Sequence, residues 1–418
     1  MVLEGYKETE IGVIPMEWDV VKVGRNTKLM GGYAFKSKDA KEYGTRWLKI
    51  ANVGINTIKW EQTSYLQDNY KEEYKKFLLE KNDIVLAMTR PILSMKLKIA
   101  KITNNDIPAL LNQRVGKFIF DDKVNSEFMY QLFQHIDFVK LLMLKIMGTD
   151  PPNVSSEQLE SIIIPLPPLK EQEKIADILS TADEKIDAIT SQIKKAETLK
   201  KGLLQKLLSE GIGHSEFKDS ELGKIPESWE LVELGSFSKS ISKKNKDNTI
   251  TDVVSVTKYD GIVNSLEYFN KKVFSDNITT YKIIERNQFA YATIHLDEGS
   301  IGFLDIFDIA VLSPMYSVFE IDYKRVDRSY FYSLVKSHKM IKIYEHIGLG
   351  SVERRKSISF NIFKKIKIPL PPLEEQKQIA EILSTADEKL EVLRAKKEKY
   401  ETLKKGLLQK LLSGEVRV

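Results

Sequence analysis

The sequence predicts an α+β protein: two globular α/β domains separated by a long antiparallel two-helix coiled coil, arranged as a pseudo-twofold repeat. Three observations predict it. Ile164–Ser209 recurs as Ile368–Ser413 at a constant offset of 204 residues, and 32 of the 46 aligned positions are identical, so the chain is built as two halves. A shorter repeat leads into each half: TEIGVIPMEWDVVKVG at 9–24 returns as SELGKIPESWELVELG at 220–235, offset by 211. Between lead-in and long repeat lie unlike segments of about 140 and about 130 residues, each the size of one domain.

Composition narrows the classes. The 418 residues are 42% hydrophobic and 29% charged, as in a globular protein that buries real cores. There is no cysteine, so disulfides and cysteine metal sites are excluded, and a reducing, cytoplasmic setting is expected. No apolar run approaches the roughly 20 residues of a membrane helix. MVLEGYKETEIG carries acidic residues and no apolar stretch, unlike a signal peptide. The net charge of +5 is mild, but Lys and Arg gather near 36–49, 90–101, 239–246 and 354–367, outside the long repeats.

The first domain is expected over 1–163. Its lead-in reads as a turn and a strand, with Trp18, like Trp229 in the second copy, packing the lead-in onto its domain. Strand-like runs follow at RWLKIANVG, NDIVLAM and GKFIF, then an amphipathic helix over Ser126–Met147. The central repeat helix occupies 164–212. Its prolines (Pro165, Pro167, Pro168) suit extended chain and a first helical turn, and Glu171 sits where the helix dipole favours negative charge. Apolar residues then run at alternating spacings of 3 and 4, the pattern of a coiled-coil seam: Ile175, Leu179, Ala182, Ile186, Ile189, Ile193, Ala196, Leu199, Leu203 and Leu207.

The second domain is expected over 213–367, with strands in TDVVSVT, NQFAYATIH and MYSVFEI and a helix over Asp327–Ile347. The C-terminal repeat helix fills 368–418, its seam reading Ile379, Leu383, Ala386, Leu390, Leu393, Lys397, Tyr400, Leu403, Leu407 and Leu411. Each long helix spans about 60 Å at 1.5 Å per residue. A compact domain with a radius of gyration near 15 Å carries the chain from the end of one to the start of the other. An antiparallel pair follows, with LLSGEVRV returning to the first domain. Carboxylates such as Asp183 and Glu184 read as a solvated face.

The segments IPLPPLxEQxxIAxILSTADEK and LKKGLLQKLLS, the ending LLSGEVRV and the lead-in E-I/L-G-x-IP-x-x-W resemble the specificity subunit of type I restriction–modification systems over essentially the whole chain. GGYAFKSKD, NDIVLAMTR and LNQRVGKFIF in the first domain are similar to stretches of that family's recognition domains. So are SVTKYDGIV, FAYATIHLDEGSIG and LSPMYSVF in the second. The resemblance implies two target-recognition domains, each reading one half of a split, asymmetric site in double-stranded DNA. It implies no catalytic activity and no cofactor in this chain. The implied partners are two modification (methyltransferase) subunits that use S-adenosylmethionine, and restriction subunits that use ATP and magnesium.

Candidate DNA-contacting residues are Lys36, Lys38, Arg90, Asn112, Gln113 and Arg114 in the first domain, and Lys258, Tyr259, His295, Arg354 and Arg355 in the second. Arg and Lys suit guanine or phosphate, Asn and Gln suit adenine. Two other readings stand beside this one. Asp150-Pro151-Pro152 resembles the Asp-Pro-Pro-aromatic core of a self-sufficient adenine methyltransferase, but Asn153 stands at the aromatic position. The second half has GSVERRKSIS in that slot, so the segment reads as a loop. A coiled-coil scaffold that joins proteins is the other. No GxxxxGK[ST] loop and no HExxH spacing among the five histidines is present, so nucleotide hydrolysis and that zinc chemistry are not expected.

Overall fold

A computed structural model describes residues 4–148, 150–348 and 357–418. The chain divides into two compact units, residues 1–190 with 395–418, and residues 191–394. Each unit therefore takes one globular domain, half of the central helix and half of the C-terminal helix.

In the first unit the lead-in forms two short strands, Gly12–Pro15 and Asp19–Lys22. The second pairs antiparallel with Ile163–Leu166. Pro165 thus belongs to a strand paired on one side, Pro167 and Pro168 link that strand to the helix, and the long helix starts only at Leu169, not at Ile164. A proline lacks the N–H that a helix interior or central strand needs, so an edge strand followed by a first helical turn is where this run fits. The same happens at Glu230–Glu233 with Lys367–Leu370, ahead of the helix Leu373–Leu412.

The domain core is a four-stranded antiparallel sheet in the order Ile99–Lys101, Ile84–Ala87, Val115–Phe120, Thr27–Gly31. The second unit holds Ile301–Phe303, Phe289–Ala292, Tyr316–Ile321, Ser238–Ile241 in the same spatial order. The two inserts differ in sequence yet share this scaffold. Beside it the first unit adds a three-stranded sheet, in which Ala109–Leu111 runs parallel to Thr45–Leu48 and Tyr65–Leu66 pairs antiparallel. The second unit adds the pairs Val254–Thr257 with Gly261–Asn264 and Lys282–Glu285 with Ile309–Leu312.

The helices expected over Ser126–Met147 and Asp327–Ile347 are each broken into two. Ser126–Gln134 and Ile136–Ile146 are separated by His135, whose backbone is extended. Arg328–Val335 and His338–Gly348 are likewise distinct. The break keeps both halves on the core: Phe128, Leu132 and Phe133 before it and Val139 and Leu142 after it are all buried in one cluster.

That cluster also takes in Trp18, Ile175, Ala176 and Leu179 from the start of the central helix and Leu411 and Leu412 from the end of the C-terminal helix. In the second unit Trp229 packs with Leu207, Leu208, Ile379, Ala380 and Leu383. Each fully buried leucine or isoleucine contributes about 1.5–3 kcal/mol, so the long helices are stapled into the globular cores by their ends.

Within each unit the helix halves run antiparallel. Glu171 and Asp183 meet Arg417 and Lys404 in the first; Glu197 and Lys200 meet Arg394 and Asp387 in the second. Among the seam positions Ile175, Leu179, Ile189, Leu207, Ile379, Leu383, Leu390 and Leu411 are buried, while Ile186, Leu203, Leu393 and Leu407 are half-buried. Two expected seam leucines are not there: Leu199 and Leu403 are 58% and 52% exposed. The next residue of each helix, Lys200 and Lys404, turns inward instead and ion-pairs with Asp387 and Asp183. An exact 3.5-residue seam drifts against a helix of 3.6 residues per turn, and these two partly buried ion pairs mark the slip.

Candidate nucleic-acid interface

The repeated Glu-Gln of each long helix explains how the domains are held. The Trp18 indole N–H donates to Glu171 at 2.9 Å, and Trp229 to Glu375 at 3.0 Å; both rings are fully buried. Next to them, Gln172 accepts from the backbone N–H of Asn125 at 2.8 Å and donates to Pro167 at 2.8 Å. Gln376 does the same with Asp327 (2.9 Å) and Pro371 (2.8 Å). Asn125 and Asp327 cap the following domain helices by accepting from Phe128 and Tyr330. Glu171 is thus more than a dipole partner: it is a buried acceptor, and the motif is a socket.

The sockets differ in their third member. Glu171 accepts from Arg417 at 2.6 and 3.0 Å, which holds the Arg417 guanidinium further above its usual range. Glu375 meets His214 at 2.8 Å and the Ile212 N–H at 3.0 Å. Gly414 and Gly211 end the two helices at positive φ, where a side chain would strike Pro15 or Glu375 and Trp229.

Held in this way, the first-domain sheet presents a rim of loops. Tyr33 donates its N–H to Leu111 (2.9 Å) and accepts from the Gln113 N–H (2.9 Å). Met88 donates to Arg114 at 3.0 Å, and Arg90 donates to Pro152 at 2.7 Å. These bonds bring Arg90, Asn112, Gln113, Arg114 and the 150–153 loop together. Arg90, Gln113 and Arg114 are exposed and Asn112 half-buried. Gly32 makes the closeness possible, because a Cβ there would sit 2.2 Å from the Leu111 carbonyl oxygen. Lys36 and Lys38 are exposed in the neighbouring turn Ser37–Asp39, where Asp39 accepts from the Lys36 N–H.

The Asp150-Pro151-Pro152 segment lies in this rim as a loop. Asn153 donates to Pro151 at 2.8 Å, and Thr89 and Asn153 meet at 2.6 Å. Among the described residues no group of His, Cys, Asp or Glu is arranged to hold a metal, and no helix is long and apolar enough to cross a membrane.

The second domain builds its rim on the same geometry. Asn82 and Asn287 both sit at φ 71°. Glu80 N–H binds Asp83 (2.8 Å) as Glu285 N–H binds Gln288 (2.9 Å). Met88 accepts from Val154, and Thr293 from Ile358, both at 2.8 Å. Counting on from there, His295 occupies the position of Arg90. Ser313-Pro314-Met315 likewise replaces Asn112-Gln113-Arg114, each loop closing with an N–H bond to its first residue, from Tyr316 and Val115.

His295 is exposed, with Nδ1 3.0 Å from Glu298. Lys258 and the 77%-exposed Tyr259 tip the Val254–Asn264 hairpin. The Lys336 ammonium fixes this tip by donating to their carbonyls at 3.0 and 3.2 Å, and burial pulls its pKa down. A side chain on Gly299 would lie 3.9 Å from the Lys258 carbonyl oxygen, so the tip adjoins the His295 turn. Arg354 and Arg355 lie outside the described residues.

Sequence reasoning missed Tyr33, 39% exposed and ringed by Phe35, Tyr74 and Phe77. The offset of 211 that aligns the lead-ins pairs Tyr33 with Lys244, but Tyr33 bridges Asn112 whereas Lys244 lies against a different strand of its own domain. Lys244 bridges Lys282, whose pKa is lowered by burial and by Lys244 itself.

Comparison with known proteins agrees with this architecture. The family model for the type I restriction modification DNA specificity domain matches residues 15–198 and 226–402. The MjaVIII specificity subunit of a type I restriction enzyme of Methanocaldococcus jannaschii is 38% identical over 207 residues, 49% of this chain and 49% of that one. A chain of the same organism described as the MjaX specificity subunit is 31% identical over 99% of this chain and 97% of its own length. The crystal structure of a type I restriction–modification S subunit from M. genitalium is similar in fold, with TM-score 0.57 at 16% identity, covering 94% of this chain and 96% of that one. A chain from a structure describing assembly and conformational transition of the type I R-M system gives TM-score 0.53 at 16% identity, covering 96% and 99%.

Proposed function

Because the chain belongs to the type I restriction–modification DNA specificity family, we propose that it supplies the sequence specificity of such a complex without catalysing its chemistry. Each globular domain reads one half of a bipartite, asymmetric site in double-stranded DNA. The helix pair sets the spacing between the half-sites, and its outer faces dock two methyltransferase subunits. One observation carries the reading: a common sheet scaffold, held by near-identical sockets, presents different side chains at the same rim. Arg90 faces out where the second domain has His295, and Asn112-Gln113-Arg114 where it has Ser313-Pro314-Met315. Different residues on one scaffold are what two unlike half-sites require.

On this reading the chain has no cofactor of its own. S-adenosylmethionine belongs to the modification subunits, and ATP and magnesium to restriction subunits that join them. Replacing residues 25–163 by the corresponding segment of another family member, then selecting DNA with the methyltransferase present, tests the assignment. One half-site changes and the other stays. A change in both, or in neither, overturns it. Methyl transfer from S-adenosylmethionine by the isolated chain would establish a self-sufficient methyltransferase instead, and absence of any sequence preference in the assembled complex would leave a scaffold.

A further inference from the structure

The loop after Arg90 forms a feature with no counterpart among the described residues of the second domain. Ile92–Leu93 pairs with Lys96–Leu97 as a minimal hairpin whose two turn residues, Ser94 and Met95, have φ of 49° and 59°. Two-residue turns of this hand suit Asn-Gly. Side-chain-bearing residues there are strained, and strain of this sort persists only where the surroundings impose it. Arg90 adds a third positive φ, at 48°.

The surroundings do impose it. Leu97 is buried in the domain core and Ile92 packs against it. Lys98 donates its N–H to Pro91 at 2.7 Å, and Ala87 donates to Lys98 at 3.0 Å. The result is a rigid base with an apolar tip: Leu93 is 59% exposed and Met95 40%. Exposed cations flank it, Arg90 before and Lys96 within, neither ion-paired to a carboxylate among the described residues. The Arg90–Pro152 and Met88–Arg114 bonds make the hairpin continuous with the candidate rim. In the second domain the corresponding segment is the single turn Leu296–Glu298, with Leu296 buried and two acidic residues following it.

We propose that the Leu93–Met95 tip is a wedge that enters a base step of the half-site read by the first domain. This rests on the chain being a DNA specificity subunit. Duplex DNA is the occupant that the chemistry fits. An apolar side chain can part stacked bases, which are themselves apolar on their faces, while adjacent cations meet the phosphates on either side. The preset, strained turn means that no ordering of the tip is needed on binding.

The test uses the full chain assembled with its methyltransferase partner and the duplex obtained by selection. 2-Aminopurine is placed at successive positions of the half-site assigned by the domain exchange. With the native chain, fluorescence rises at one step as the base unstacks. In Leu93→Ser/Met95→Ser the rise disappears and affinity falls on the order of tenfold, while the melting temperature holds. Leu93→Ser/Met95→Gly, which relaxes the turn, gives the same loss and controls for misfolding. Unchanged fluorescence and affinity in both variants overturns the wedge. So does loss of methyltransferase association with DNA preference kept, which would make the tip a protein contact. If the native complex selects no sequence at all, the functional reading itself fails, a result distinct from either.

Discussion

Lys404 places its ammonium 2.6 and 2.7 Å from the two carboxylate oxygens of Asp183, one residue beyond the expected seam leucine Leu403. Gln131 of the adjoining domain donates to the same carboxylate at 2.8 Å. One ion pair thus fixes the register of the helices and ties the domain to them. Lys404→Met leaves Asp183 with Gln131 alone and costs about 1–3 kcal/mol, a figure set by the partial exposure of Asp183. Replacing both partners by leucine costs far less, but loosens the register. Denaturant unfolding of the single and double variants separates the two effects.

The Trp–Glu socket makes a second prediction. Trp18→Phe keeps most of the buried ring and removes only the N–H that Glu171 accepts. It destabilises the first unit by about 1–3 kcal/mol. Arg417→Ala withdraws the other donors to that carboxylate and weakens the same unit; the second unit, whose Glu375 is met by His214, is unaffected. Local hydrogen exchange, read separately over the two cores, checks this.

His135 sets a pH dependence. Burial lowers its pKa from 6.5, against the opposing pull of Asp137 and a hydrogen bond with Gln409. Between the folded value and 6.5 the unfolded chain binds more protons than the folded one, so stability rises with pH. The contribution is complete above about pH 6.5 and is lost as the pH falls through that value towards the folded one. Unfolding midpoints from pH 7 downward follow that slope, and His135→Gln flattens it. A slope unchanged in the variant rules His135 out.

Specificity should divide by domain. Arg90→Ala relaxes the preference at one half-site by about 1–3 kcal/mol for the contacted base. His295→Ala, at the matching position of the other scaffold, alters only the other half-site. Selection from a randomised duplex with each variant measures both.

The ruler reading is tested in the same assay. Four residues inserted into one long helix lengthen it by about 6 Å, which approaches two base pairs at about 3.4 Å each. The preferred gap between half-sites lengthens in step; a gap that does not move removes the spacing role.

The duplication, the seam and the buried tryptophans were legible because each leaves a periodic or repeated trace: offsets of 204 and 211, spacings of 3 and 4, a Trp three residues after a Pro. The core strands were legible as apolar runs, and NDIVLAM, GKFIF, NQFAYATIH and MYSVFEI each contain one. Asp183 was misread as a solvated face because its partner stands 221 residues away. The two helix breaks were missed because the apolar spacing continues through His135; only packing against the sheet forces the turn there.

By itself, then, the sequence determined that the chain is two halves on one plan, since identical residues at a fixed offset fold alike. Tertiary structure decided what closes each half. The end of the C-terminal helix joins the first core, and the end of the central helix joins the second. It also decided that Arg90 and His295 are equivalents. Both are set by hydrogen bonds and apolar burial between segments far apart in the chain, where no local pattern records the partner.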